Sequence, residues 1–134
     1  MNIISWNVRG LGSQAKRAIV RETLKKNKPT VVLIQETKIE STTQALIRDL
    51  WNVRRPGWVS MDANGTSGGI LILWDSRELE MVQVETGQHT LAVQLKSTHN
   101  GTCWAVMAVY GPTTNVQRQG LWEELSAMIS AWSM

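Results

Sequence analysis

The chain has one cysteine, one tyrosine, three prolines and no phenylalanine in its 134 residues. A lone Cys103 cannot close an internal disulfide, so packing and hydrogen bonds must hold the fold, as in a reducing compartment. No apolar run approaches the ~20 residues that cross a bilayer, which argues against a membrane partner. Met1 to Gly12 carries Asn2, Asn7 and Arg9 where a secretory leader would have a basic start and an unbroken apolar stretch. The protein is therefore expected to be soluble and intracellular. Asn64-Gly65-Thr66 and Asn100-Gly101-Thr102 then read as turns, not as glycosylation acceptors. Long runs of one charge sign are also missing, so no acidic or basic tail is present.

What the chain does have is 43% hydrophobic residues, enough for one packed domain and too many for disorder. Seven tryptophans are most simply packing residues. The net charge of +3 conceals two unlike parts. Residues 1–56 hold eleven Lys/Arg and four Asp/Glu (11 − 4 = +7), and residues 57–134 hold three and seven (3 − 7 = −4). A basic amino-terminal half suits an anionic partner such as a nucleic acid, although a solvated helix face would look the same.

Asn2 to Trp6 reads as a short buried strand stopped by Gly10 and Gly12. Ser13 is placed to cap a helix over Gln14 to Asn27, with Ala15, Ala18, Ile19 and Glu22 on one spacing and Val20, Thr23 and Leu24 beside it. Lys16, Arg17, Arg21, Lys25, Lys26 and Lys28 are expected to cover its outer surface, and Pro29 ends it. Val31 to Gln35 is the pattern of a strand buried on both faces, which completes a βαβ-like unit. A second helix is predicted over Ser41 to Trp51, broken by Pro56-Gly57. Five strands should follow, at Trp58 to Asp62, Gly69 to Trp74, Glu80 to Glu85, Leu91 to Ser97 and Cys103 to Tyr110. The last two flank Asn100-Gly101, a hairpin signal. An amphipathic helix over Val116 to Trp132 closes the chain, and the order as a whole is mixed α/β or α+β.

Three polar side chains stand at strand ends: Asn7, Glu36 and Tyr110. A carboxylate leaving a buried strand can hold a hard cation such as Mg²⁺, which makes Glu36 the leading candidate. Lys38 is close enough in sequence to neutralise it and make the cluster structural instead.

Four motifs occur in order: Asn2-Ile-Ile-Ser-Trp-Asn-Val-Arg-Gly-Leu-Gly12, Gln35-Glu36-Thr37-Lys38, Ser67-Gly68-Gly69-Ile70-Leu71 and Val109-Tyr110-Gly111-Pro112. Together they resemble the endonuclease/exonuclease/phosphatase superfamily, the DNase I-like proteins, and most of all the amino-terminal endonuclease domain of plant LINE-type retrotransposons. The resemblance implies a four-layered α/β sandwich, two sheets flanked by helices, that uses Mg²⁺ to hydrolyse phosphodiesters in DNA. It implies that Glu36 binds the metal, that Asn7 orders metal and phosphate, and that Tyr110 donates to a phosphate oxygen. Nucleic-acid contacts are expected at Arg9, Lys38 and Asn64, and the nucleus is the compartment such elements act in.

The sequence also departs from that family. Thr113 stands where many members have Asn, no Asp follows Asp75, and the later Gly-Asp-Phe-Asn-like and Ser-Asp-His-like motifs do not occur before Met134. Neither His89 nor His99 is placed as a catalytic histidine, and both read as surface residues. The chain is thus expected to be the amino-terminal part of one such domain, with one carboxylate, no general base and little activity alone. Self-association through the uncovered closing helix and open strand edges is expected as well. Two rivals are a non-catalytic nucleic-acid-binding remnant using Lys16, Arg17, Arg21, Lys25 and Lys26, and a phosphatase of inositol phosphates or lipids.

Overall fold

Val31-Val32-Leu33-Ile34 carries a branched aliphatic side chain at every position, so neither face of this strand tolerates water. In the computed structural model, which describes residues 2–65, 68–88 and 90–109, these residues form β2 (Val31–Gln35), buried inside a four-stranded sheet. β1 (Ile3–Asn7) runs parallel to β2, with Asn7 opposite Gln35. β4 (Ile70–Asp75) is antiparallel on its other side, and β3 (Pro56–Met61) closes that edge, giving the order β1-β2-β4-β3. A second sheet is an antiparallel meander of β5 (Leu79–Thr86), β6 (Thr90–Ser97) and β7 (Cys103–Val109).

The crossover between β1 and β2 is α1 (Gln14–Asn27), and α2 (Gln44–Leu50) follows β2. Val20 and Leu24 of α1 and Ile47 and Leu50 of α2 pack on Val32, Ile34, Leu71 and Leu73. The opposite face, Val31, Leu33, Ile70, Ile72 and Trp74, packs on Leu79, Leu91, Val93, Leu95 and Ala108 of the second sheet. Helices, mixed sheet and antiparallel sheet thus form three layers around two cores. The predicted helix over 116–132 lies outside the described residues, as do His89, Tyr110 and Thr113.

Local chemistry sets the boundaries. Ser13 caps α1 by accepting the Lys16 amide at 3.1 Å, and Lys28 ends it in the left-handed conformation with its amide on Leu24. α2 is shorter than predicted because Thr43, not a residue near 41, caps it through the Leu46 amide. Pro56-Gly57, read as the break after the second helix, does follow α2 and also opens β3, ahead of the predicted strand start at Trp58. An edge strand accepts proline at its first residue, and a Cβ at Gly57 would meet the Trp74 indole of β4. On α1 the buried pair is Val20 and Leu24, while Ile19 is 54% exposed, so the helix presents a face rotated from the Ala15-Ala18-Ile19-Glu22 row.

The turn that carries the chain from one sheet to the other is pinned by Asp75. Its buried carboxylate accepts from the Arg77 amide (3.0 Å), Nε (3.1 Å) and Nη2 (2.9 Å). The Asp75 amide donates to Thr30 of the β2 approach. The β6–β7 turn rests on this corner, with Thr98 Oγ1 donating to the Arg77 carbonyl (2.8 Å) and His99 Nε2 paired with Glu78 (2.7 Å). The hydrogen bonds from Arg77 hold the Asp75 carboxyl below its ordinary value of 3.8, against the opposing pull of burial.

Two outcomes follow from this packing. Leu73→Ala, at a fully buried position of the outer core, should lower the unfolding free energy by ~2–5 kcal/mol in a urea titration. Asp75 is depressed in the folded state, so its stabilisation is present above 3.8 and is lost as pH falls through the lowered folded value. Asp75→Asn should therefore lower the melting temperature at neutral pH and flatten its dependence on pH at the acid end.

Candidate metal and phosphate site

Because β1 and β2 are parallel, Asn7 and Glu36 emerge at the same end of the sheet, and β4 begins there. The segment after β2 is stitched to both neighbours. On one side Val8, Gly10 and Leu11 amides donate to the carbonyls of Gln35 (3.1 Å), Glu36 (2.7 Å) and Thr37 (2.9 Å). On the other side Thr37 and Lys38 amides donate to Gly69 (3.1 Å) and Gly68 (2.8 Å). Gln35 Nε2 reaches across to the Val109 carbonyl at 3.2 Å, joining the end of β7 to this mouth.

The backbone here is unusual. Of the four non-glycine residues with positive φ among the described residues, three are at this mouth: Arg9 (54°), Glu36 (54°) and Lys38 (57°). Left-handed non-glycine residues carry strain of ~1–3 kcal/mol each and gather at functional sites. Thr37, between two of them, is buried at 3% exposure and its Oγ1 accepts the Ile39 amide. Asn7 Oδ1 accepts the Arg9 amide at 3.2 Å, which fixes the carboxamide at the strand end.

Glu36 is half-buried and makes no ion pair among the described residues, so the Glu36–Lys38 neutralisation that would make the cluster structural is not formed. Arg9, Lys38 and Asn64 are exposed, and the Lys38 stem passes near Gly10. Asp62, at the end of β3, is another acid at this end of the sheet. Its Oδ1 accepts from the Thr42 amide and hydroxyl and from Ser60, so it serves the loop. Among the described residues no cluster of three or more His, Cys, Asp or Glu could hold an ion. One carboxylate and one amide oxygen are nevertheless hard donors, of the kind Mg²⁺ accepts while keeping most of its waters. The donor set fits a hydrated, weakly held ion.

The basic helix is less open than its sequence suggests. Lys16 Nζ donates to the Val8 carbonyl (2.9 Å), and Arg17 Nη1 donates to Leu11 (2.8 Å) and Gly12 (3.0 Å), so both bind the loop that follows β1. Arg17 and Arg21 also grip Asp49 of α2 at 3.2 and 2.6 Å. The expectation that all six cations cover the outer surface is corrected: three tie α1 to its neighbours, and Lys25, Lys26 and Lys28 remain solvent-facing. Sequence reasoning missed Gln35, Thr37 and Gly69 as parts of the site. A glutamine ending an apolar run was the available signal for the first.

Two clefts of about 610 and 600 Å³ lie at the opposite end of the sheet, sharing Thr30 and Glu78. The Asp75–Arg77 and Glu78–His99 pairs there satisfy one another.

Residues 4–120 match the Endonuclease/Exonuclease/phosphatase family, and no curated protein matches the sequence. Among solved structures the chain is similar to the human Nocturnin catalytic domain with bound sulfate, at 13% identity and TM-score 0.65, covering 93% of this chain and 57% of that one. It is similar to the AP endonuclease LMAP from Leishmania major at 16% identity and TM-score 0.62, covering 88% and 43%. D. rerio TDP2 complexed with a single-strand DNA product follows at 23% identity and TM-score 0.62, covering 98% and 54%. At such identities the likeness is one of fold, and the chain spans about half the length of these structures. With its mixed sheet flanked by helices on one face and a second sheet on the other, and with a match running over most of its length, the chain belongs to the Endonuclease/Exonuclease/phosphatase family.

Proposed function

We propose that the chain is the amino-terminal part of a Mg²⁺-dependent phosphodiester-cleaving domain acting on DNA, of the kind found in LINE-type retroelements, and that it is weakly active or inactive alone. The observation that carries this reading is the joint emergence of Asn7 and Glu36 from two parallel strands, with the Glu36 carboxylate unpaired among the described residues. Glu36 would hold the ion and Asn7 would orient it and the phosphate. Tyr110, bonded to the Val109 whose carbonyl Gln35 holds, would donate to a phosphate oxygen. Arg9, Lys38 and Asn64 would contact the nucleic-acid backbone. A bound divalent ion supplies charge neutralisation at the cleaved phosphate. One carboxylate leaves such an ion loosely bound, and among the described residues none in reach is suited to act as base, a role worth ~10²–10⁴-fold.

Mn²⁺ binding, followed by the electron-spin resonance of the free ion, should be weak and should vanish in Glu36→Ala. Binding that survives the substitution would remove Glu36 from the site. Plasmid nicking in Mg²⁺ should stay near background, and robust turnover abolished by Glu36→Ala would show that a carboxylate and an amide suffice.

A non-catalytic nucleic-acid-binding role is favoured by one observation, the three solvent-facing lysines at the end of α1. Each phosphate contact contributes ~0.9 to the slope of log affinity against log salt. Lys25→Ala/Lys26→Ala should then reduce that slope by ~2, whereas Lys16→Ala should act on stability.

A further inference from the structure

The loop that presents Glu36 packs on a glycine in the segment that leads into β4. Glu36 and Lys38 are both left-handed, and Thr37 between them is turned inward. Its hydroxyl fills the space over Gly69, the residue just before β4. A Cβ at Gly69 would collide with Thr37 Oγ1, would lie 3.1 Å from the Lys38 amide nitrogen and would sit 3.4 Å from the Ala63 Cβ. Gly69 itself has φ +95°, a conformation that glycine adopts freely and other residues do not. Its carbonyl accepts the Thr37 amide at 3.1 Å, so the same residue that leaves room for the hydroxyl also tethers its backbone.

From this contact we infer that Gly69 is a positioning residue for the Glu36 carboxylate, acting through Thr37. The inference rests on the reading of Glu36 as the metal-holding group, but its geometric part stands without it. Thr37 has two neighbours whose φ is costly, and neither would remain left-handed in water-exposed chain. The backbone of Thr37 anchors them through its amide on the Gly69 carbonyl, and its inward side chain occupies a pocket that a Cβ at Gly69 would fill. Filling that pocket pushes Thr37 outward, and the peptide linking it to Glu36 must turn with it. Lys38 is coupled in the same way, through its own amide on Gly68. The aim of the Glu36 carboxylate is therefore set by the segment that leads into β4, not by β2, which it follows.

The test uses Gly69→Ala and Gly69→Ala/Thr37→Ala in the full chain, with NMR couplings sensitive to the sign of φ at Glu36 as the first readout. Gly69→Ala should move Glu36 out of the left-handed region and weaken Mn²⁺ binding by the ~10–100-fold typical of losing an orienting neighbour. Removing the Thr37 hydroxyl and methyl in the double variant should return Glu36 to positive φ and recover part of the affinity. If Gly69→Ala alone does not fold, the double variant decides: a folded double with left-handed Glu36 supports the inference, and an unfolded or displaced one overturns it. A folded Gly69→Ala with Glu36 unmoved also overturns it, whatever its melting temperature. If Glu36 moves as stated while the wild type and Glu36→Ala bind Mn²⁺ alike, the positioning stands and the metal reading falls.

Discussion

The structure depends on one constraint: β2 and β4, paired antiparallel at its centre, are apolar on both faces and must be kept dry on both. Each face needs its own cover, and each cover brings its own connection. The parallel return from β1 to β2 lays α1 over one face, and α2 extends that roof. The opposite face is closed by a meander that the chain can reach only by turning sharply at Asp75. That turn is where a buried carboxylate, a guanidinium and two backbone carbonyls converge, because a change of sheet leaves polar groups that the ladders cannot satisfy. The site is a consequence of the same arrangement. Two parallel strands bring their carboxyl ends to the same edge of the sheet, so Asn7 and Glu36 emerge at one end.

Charge follows packing more than it follows any partner. Lys16, Arg17 and Arg21 lie in the half of the chain with the largest positive excess, yet each reaches inward to carbonyls or to Asp49. The Arg–Asp49 pairs are half-exposed and individually worth ~0–1 kcal/mol. Their role is to fix how α1 lies against α2 and against the loop that carries Arg9. The mouth keeps Arg9 and Lys38 exposed beside Glu36.

Much of this was legible in the residues. β2 announced itself by an unbroken aliphatic run, and α1 by Ser13 and Pro29, with its bounds at Gln14 and Asn27 as expected. The Asn100-Gly101 turn formed, with Gly101 at φ 74°. Asn7 and Glu36 could be read as strand-end residues of a βαβ unit, hence neighbours. Other features needed three dimensions. Pro56-Gly57 looks like a break until the strand is known to be an edge under Trp74. Which face of α1 is buried turned on how deeply Val20 and Leu24 meet the sheet, and sequence spacing leaves that open by one residue. The inward reach of the cations, and the Thr37–Gly69 contact across 32 residues, are invisible to any local pattern. Tyr110 lies outside the described residues.

The two cores each enclose an indole. Trp51 is 4% exposed in the layer between helices and mixed sheet, and Trp74 is 4% exposed between the two sheets. Their emission colours therefore report on separate seams of the same molecule. Peeling the meander away would wet Trp74 and redden its light while Trp51 stayed blue, and loss of the helical roof would do the reverse.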